Sequence, residues 1–235
     1  MISTATVTLS YHLGKIILLH CVSYVTTRHL ILSSSNRVYA NVTNGNADGF
    51  RAVADKVQYY TNYGQALGYL ASGNTIDYAY GNLGALGVTF ELGNAFYQDC
   101  STFESSILPK GLKPLTYMAK ISKAPFSIAK GPDVTSLTTT VSGDVLTVAA
   151  TASDNALSFA NVSTTQQGVR EVRVFMNTHP YSLPTTDTTS GYVVTNGIAT
   201  IDVSLLASGS RNVVYVQATD TAGYRGPVTA AYFVK

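Results

Sequence analysis

The carboxylate of Glu91 is one group that the spacing of its neighbours could set up to do chemistry. In Val88-Thr-Phe-Glu-Leu92 the two-residue period of a strand puts Val88, Phe90 and Leu92 on one face and Thr89 with Glu91 on the other. A carboxylate so placed either moves a proton as a general acid/base or sits on a solvated outer face, and the pattern admits both. Gly87 and Gly93 on its two sides permit the close approach of a ligand or another backbone. Four imidazoles, His12, His20, His29 and His179, are the candidate metal ligands, and none is followed at the third position by Glu. Cys21 and Cys100 form no C-x-x-C pair and allow at most one disulfide, whose existence the sequence does not decide. Asn41-Val-Thr43 and Asn161-Val-Ser163 match the glycosylation acceptor tripeptide.

These residues need elements to carry them. From Asp48 to Tyr60, Phe50, Val53, Ala54, Val57 and Tyr60 share one helical face, with Arg51, Asp55, Lys56 and Gln58 opposite and Asn46 or Asp48 available as a cap. A second helix is expected to start near Pro114 and run to about Lys123, burying Leu115, Met118 and Ala119. Gly87 to Gly93 reads as a strand; Ile16–Leu19 and Leu30–Leu32 are candidate short strands in a stretch with little punctuation. Up to residue 131 the pattern is therefore α/β.

Beyond Gly131-Pro132 the helical period disappears. Apolar and polar residues alternate in seven runs, at 135–141, 145–151, 169–175, 191–195, 198–205, 212–219 and 227–234, with turn signals such as Ser142-Gly-Asp and Asn196-Gly between them. In the sixth run Val214, Val216 and Ala218 share a face opposite Val213, Tyr215 and Gln217. Seven short strands in this length predict an all-β immunoglobulin-like or fibronectin-like sandwich over 132–235, after an α/β segment over 1–131. The run from Val214 to Phe233 resembles the final hairpin of immunoglobulin-like modules appended to bacterial secreted hydrolases, and such a module can bind a surface or polymer.

Of the 235 residues 15 are Lys or Arg and 13 Asp or Glu, with net charges of +4 before Pro132 and −2 from it onward. A balance this even, without a basic stripe, points away from nucleic acid as a partner. The apolar run at 15–20 is too short to cross a bilayer, and the first twenty-five residues lack the charge order of a secretory signal.

Tyr69-Leu-Ala-Ser-Gly-Asn-Thr-Ile-Asp-Tyr-Ala-Tyr-Gly81, followed by Val88-Thr-Phe-Glu-Leu92, resembles the active-site segment of the zinc metallocarboxypeptidases of the carboxypeptidase A-like type, with Tyr69 and Glu91 22 positions apart. The resemblance covers about 44–125 and implies a partial α/β catalytic domain. In that family Glu91 would be the general acid/base, Tyr69 a loop tyrosine closing over the substrate, and Ala71, Ile76 and Thr89 the pocket for the C-terminal side chain. With Ile76 at its floor the pocket would favour apolar or aromatic residues. His20, ending an apolar run, would be the third zinc ligand, although Cys21-Val follows it where the family has Ser-Tyr. The other two ligands are missing, so the resemblance implies the C-terminal portion of a longer secreted enzyme that uses zinc to release C-terminal residues from peptides and proteins. The alternative is a non-catalytic binding or adhesion module with a vestigial peptidase segment.

Overall fold

A computed structural model describes residues 4–9, 17–22, 29–32, 46–66, 75–91, 93, 99–154, 167–184, 187 and 189–235. The chain divides between Ala129 and Lys130 into two compact units. Mixed helices and sheet make up the first, and antiparallel strands the second.

In the first unit a five-stranded sheet runs β1-β2-β5-β3-β4, with β1 Thr4–Leu9, β2 Ile17–Val22, β3 His29–Leu32, β4 Gly64–Ala66 and β5 Gly87–Glu91. Strands β2 and β5 pair in parallel, β3 and β4 likewise, while β1 and β2, and β3 and β5, are antiparallel. Helix α1, Ala47–Thr61, lies where its apolar period predicts, with Phe50, Val53, Ala54 and Val57 buried. Asn46 occupies the N-cap position without capping; its Nδ2 instead donates to the hydroxyl of Tyr80 at 3.3 Å. Asn62, left-handed at φ 56°, ends the helix by donating its N–H to Gln58 O. Asp55 and Lys56, on the face opposite the apolar one, are nevertheless both buried. The reason is that neighbouring elements enclose α1 on more than one side, which periodicity within a single helix does not report.

Helix α2 spans Thr75–Leu83, and α3, Cys100–Thr102, is capped by Asp99, whose Oδ1 accepts from Thr102 N at 2.8 Å. A π-helical stretch, Phe103–Ile107, leads into α4, Leu108–Ile121, and α5 is the short helix Pro125–Ile128. The expected helix start at Pro114 is corrected: α4 begins at Leu108, Pro109 takes the first turn, and Pro114 is buried inside the helix. An interior proline costs about 3 kcal/mol. Burial of Tyr117, Met118 and Ile121 one to two turns later offsets it.

In the second unit one sheet has the order β10-β7-β6 and the other β12-β11-β8-β9. Their strands are β6 Asp133–Ser142, β7 Val145–Ser153, β8 Val169–Met176, β9 Tyr192–Val193, β10 Ile198–Asp202, β11 Arg211–Asp220 and β12 Thr229–Val234. The two sheets share one apolar core of Leu146, Val148, Ala150, Val174, Ala199, Ile201, Val203, Val214, Val216 and Phe233. Each sheet contributes its inward face, as alternation requires. Asn196 and Gly197, both at positive φ, make the tight turn before β10 that Asn-Gly signals.

Backbone closeness locks the beginning of this unit to the loop after β11. A Cβ on Gly226 would fall onto Pro132 O, and one on Gly131 would lie 2.4 Å from Gly226 N. Gly226 also donates its N–H to Ala218 O and accepts from Gln217 Nε2 at 2.9 Å through its carbonyl, so it has no room to retreat. Gly226→Ala is therefore expected to lower stability by about 1–3 kcal/mol, the range for forced overpacking. The check is thermal unfolding followed by β-type circular dichroism, and an unchanged midpoint would show that the contact yields without cost.

Candidate binding cleft

The structure locates only some of the residues singled out from sequence. Glu91 is the last residue of β5 and stands opposite Val22 in register; His20 of β2 stands opposite Thr89, which is half-buried. These three positions thus fall together on the β2–β5 pair. Ile76 lies in the first turn of α2, and Tyr69 and Ala71 lie outside the described residues. Among the described residues no group of three His, Cys, Asp or Glu side chains is placed to hold a metal ion. Cys100 is exposed with a free thiol.

A second cluster stands on the outer face of β8 and β11. Because Val174, Val214, Val216 and Ala218 are committed to the core, the alternating residues point the other way: Glu171 opposite Thr219, Arg173 opposite Gln217, and Phe175 opposite Tyr215. The described residues between Asn177 and Ser190 cover part of this face. Asn177, at φ 55°, starts the excursion and ties it to β11, donating Nδ2 to Asn212 Oδ1 at 2.8 Å and accepting Val213 N–H at 3.0 Å. A 3-10 turn, Pro180–Ser182, is capped by His179, whose Nδ1 accepts from Tyr181 N and whose ring packs on Tyr181 and Tyr215.

Two guanidinium groups pin the far end of this covering segment. Arg173 Nη1 donates to the carbonyls of Thr189 and Ser190, each at 3.1 Å. Its Nη2 donates to Glu171 Oε2 at 2.9 Å, while Nε lies 2.7 Å from Oε1 as an ion-pair contact out of hydrogen-bond alignment. Arg225 Nη2 donates to Asp187 O at 2.5 Å. Asp187 in turn closes its own turn, Oδ1 accepting the N–H groups of Thr189 and Ser190 at 2.9 Å.

Between these groups runs a narrow cleft lined by Arg170, Glu171, Arg173, Asp187, Ser190, Thr219 and Arg225. The hydrogen bond from Arg173 holds the Glu171 carboxyl below the usual carboxylate range against an opposing desolvation, with the positive charges of Arg173, Arg170 and Arg225 adding to it. The same pairing raises Arg173. Asp187 is held low by its bonds to Ser190 and Thr189, and burial pushes the Tyr181 hydroxyl up. Sequence reading passed over this cluster, although Arg170-Glu-Val-Arg173 carries the same two-residue signal that drew attention to Thr89 and Glu91. What was missing is the fold-back of the covering segment that follows β8, which alternation within a strand does not report.

No family model and no curated protein matches the chain. Among solved structures, the Clostridium perfringens spore cortex lytic enzyme SleM is 19% identical over 43% of this chain and 27% of that one, with a TM-score of 0.29. Chitinase ChiA74 from Bacillus thuringiensis is 16% identical over 66% of this chain and 21% of its own, with a TM-score of 0.31. The chain thus spans between a fifth and a third of these proteins, and likeness at this level brings neither fold nor activity across. The reading taken from the Tyr69–Glu91 segment is corrected here: the structures found are a cortex lytic enzyme and a chitinase rather than zinc carboxypeptidases. Family membership, peptidase activity and a zinc-dependent reaction are accordingly not carried further. A motif of short residues at fixed intervals is a local pattern, and by itself it does not supply the ligand set such a reaction requires.

The Glu171–Arg173 pair gives the cleft a defined response to acid. Since the folded-state value of Glu171 lies below that of the unfolded chain, its stabilisation is complete above the unfolded carboxylate range, about pH 4.3, and is lost as pH falls through the folded value. Glu171→Gln should therefore make the loss of stability between about pH 6 and pH 3 shallower than in the native chain. Unfolding midpoints of the all-β unit measured across that range provide the check; parallel curves for the two proteins would show that the pair contributes nothing in acid.

Proposed function

We propose that the second unit is an immunoglobulin-like, fibronectin-like sandwich and that the protein works through it as a non-catalytic binding or adhesion module. The observation that carries this reading is the cleft on the outer face of β8 and β11, whose walls are held in place before any ligand arrives. Arg173 reaches two carbonyls and a carboxylate at once, and Arg225 fastens the covering segment at Asp187. Anchoring of this kind lowers the ordering cost of binding and favours recognition on a rigid sheet. The three-plus-four arrangement of strands around one core, with hairpin connections at β6–β7 and β11–β12, supports the sandwich assignment. No helix among the described residues is long and apolar enough to cross a membrane.

Expressed alone, residues 130–235 should unfold in a single cooperative transition with β-type circular dichroism. Attached to a solid support, they should retain at least one polymer from a panel of cellulose, chitin, dextran and polygalacturonate that residues 1–129 do not retain. Loss of the cooperative transition, or equal retention by the two pieces, would defeat the module reading.

A further inference from the structure

From Ser105 to Ala129 the chain carries Lys110, Lys113, Lys120 and Lys123 and neither Asp nor Glu. Set against Glu104, these lysines leave a surplus of three positive charges over residues 103–123. Helix α4 holds Lys110, Lys113 and Lys120, and Lys123 follows its end. Its inward face is Pro114, Tyr117, Met118 and Ile121. On the other side the helical period brings Leu108, Leu112 and Ala119 into one row with Lys113 and Lys120 beside it, and all five are exposed. The π-helical turn lengthens the row, because there the residues five apart stack, and the N–H of Leu108 donates to Phe103 O. Phe103, Leu108 and Leu112 are 43%, 39% and 51% exposed. Large apolar side chains thus stand in water in line with one another, next to positive charge that the fold does not neutralise. Lys110 and Lys113 make no hydrogen bond or ion pair with another described residue.

We propose that this face of α4 docks on an anionic lipid surface, the helix lying in the plane of the headgroups. Charge and apolarity together select the occupant. The surplus of lysine requires an anionic partner. A nucleic acid or an acidic polymer would satisfy the ammonium groups and leave Phe103, Leu108 and Leu112 in water. A lipid surface takes both: the apolar side chains enter the boundary between headgroups and acyl chains, and the lysine stems lie along it with their charged ends among the headgroups. The kind of cation agrees, since every one is a lysine, a point charge on a flexible stem that suits a diffuse array of headgroups, where a guanidinium fork would suit one planar anion. An open groove beside the row is lined by Leu112, Thr116, Tyr60 and Tyr117, and the half-exposed ring of Tyr59 packs on Tyr60. Tyrosines, apolar in the body and polar at the tip, fit the headgroup level. This face belongs to the first unit, so docking there is independent of what the second unit binds.

The test is co-sedimentation of the full chain with vesicles of phosphatidylcholine alone and of phosphatidylcholine mixed with phosphatidylglycerol. The anionic vesicles should retain the chain, the neutral ones far less, and retention should weaken as salt is raised. Lys113→Gln should lower the partition coefficient about fivefold, the worth of one lysine near such a surface. Leu112→Ser should lower it roughly tenfold, through the apolar area no longer buried, and leave the salt dependence in place. Both side chains are exposed, so the circular dichroism spectrum and the unfolding midpoint of each variant should match those of the native chain. Polyglutamate, as a soluble competitor, should displace the chain from the vesicles only weakly. Equal retention by neutral and anionic vesicles, retention by neither, or anionic binding that Lys113→Gln leaves unchanged would each overturn the proposal. So would binding indifferent to Leu112→Ser, or polyglutamate holding the chain as tightly as the vesicles do, and either of these would make the face a site for acidic polymers instead.

Discussion

The inward burial of β11 is the constraint on which the second unit depends. Val214, Val216 and Ala218 are fully buried and stand in the centre of the four-stranded sheet, between β12 and β8. With a side-chain period of two, a slip of one residue would turn this apolar set to the outer face, beside Glu171 and Arg173, and bring Tyr215, Gln217 and Thr219 into the core. Burial of a valine side chain is worth roughly 1.5–3 kcal/mol, so Val214 and Val216 hold the register firmly. That register then dictates the cleft: Gln217 must lie beside Arg173 and Thr219 beside Glu171 because the apolar residues between them have nowhere else to go.

Polar groups brought to the outer face this way still have to be satisfied, and Arg173 is how the molecule does it. Its flat fork reaches a carboxylate on its own strand and two carbonyls on the covering segment, which a lysine's single ammonium would not span in one geometry. The segment is thereby ordered by hydrogen bonds to charge, which are stronger than bonds between neutral groups. Gly131 and Gly226 play the corresponding part for the backbone, where only the absence of a Cβ lets Pro132 and the loop after β11 lie against each other.

How far the sequence could be read depended on how local the cause was. Each of the seven alternating runs after Pro132 holds a strand, and the Asn196-Gly197 turn forms as its residue types require, because alternation and turn chemistry are properties of neighbours in the chain. Helix α1 was legible for the same reason. Pro114 misled because a proline's preference for a first turn is a local tendency, and tertiary burial of α4 overrode it. The Tyr69–Glu91 pattern misled differently: spacing along a chain resembles a site without showing which groups meet in space. Of its residues the structure brings His20, Thr89 and Glu91 to neighbouring register positions on β2 and β5, and that placement alone assigns no reaction.

Sequence by itself determined the division into an α/β part and an all-β part, the strands of the latter, and the two faces of β11, since hydrophobic periodicity acts over a few residues; burial of Val214, Val216 and Ala218 decided which face turns inward. The tertiary structure alone decided that Asp55 and Lys56 are enclosed, that Arg173 reaches Thr189 and Ser190, and that Arg170 and Arg225, 55 positions apart, line one cleft. Those outcomes depend on elements meeting across long stretches of chain, and the free energy of such meetings is shared among many residues, so no short run of sequence records it.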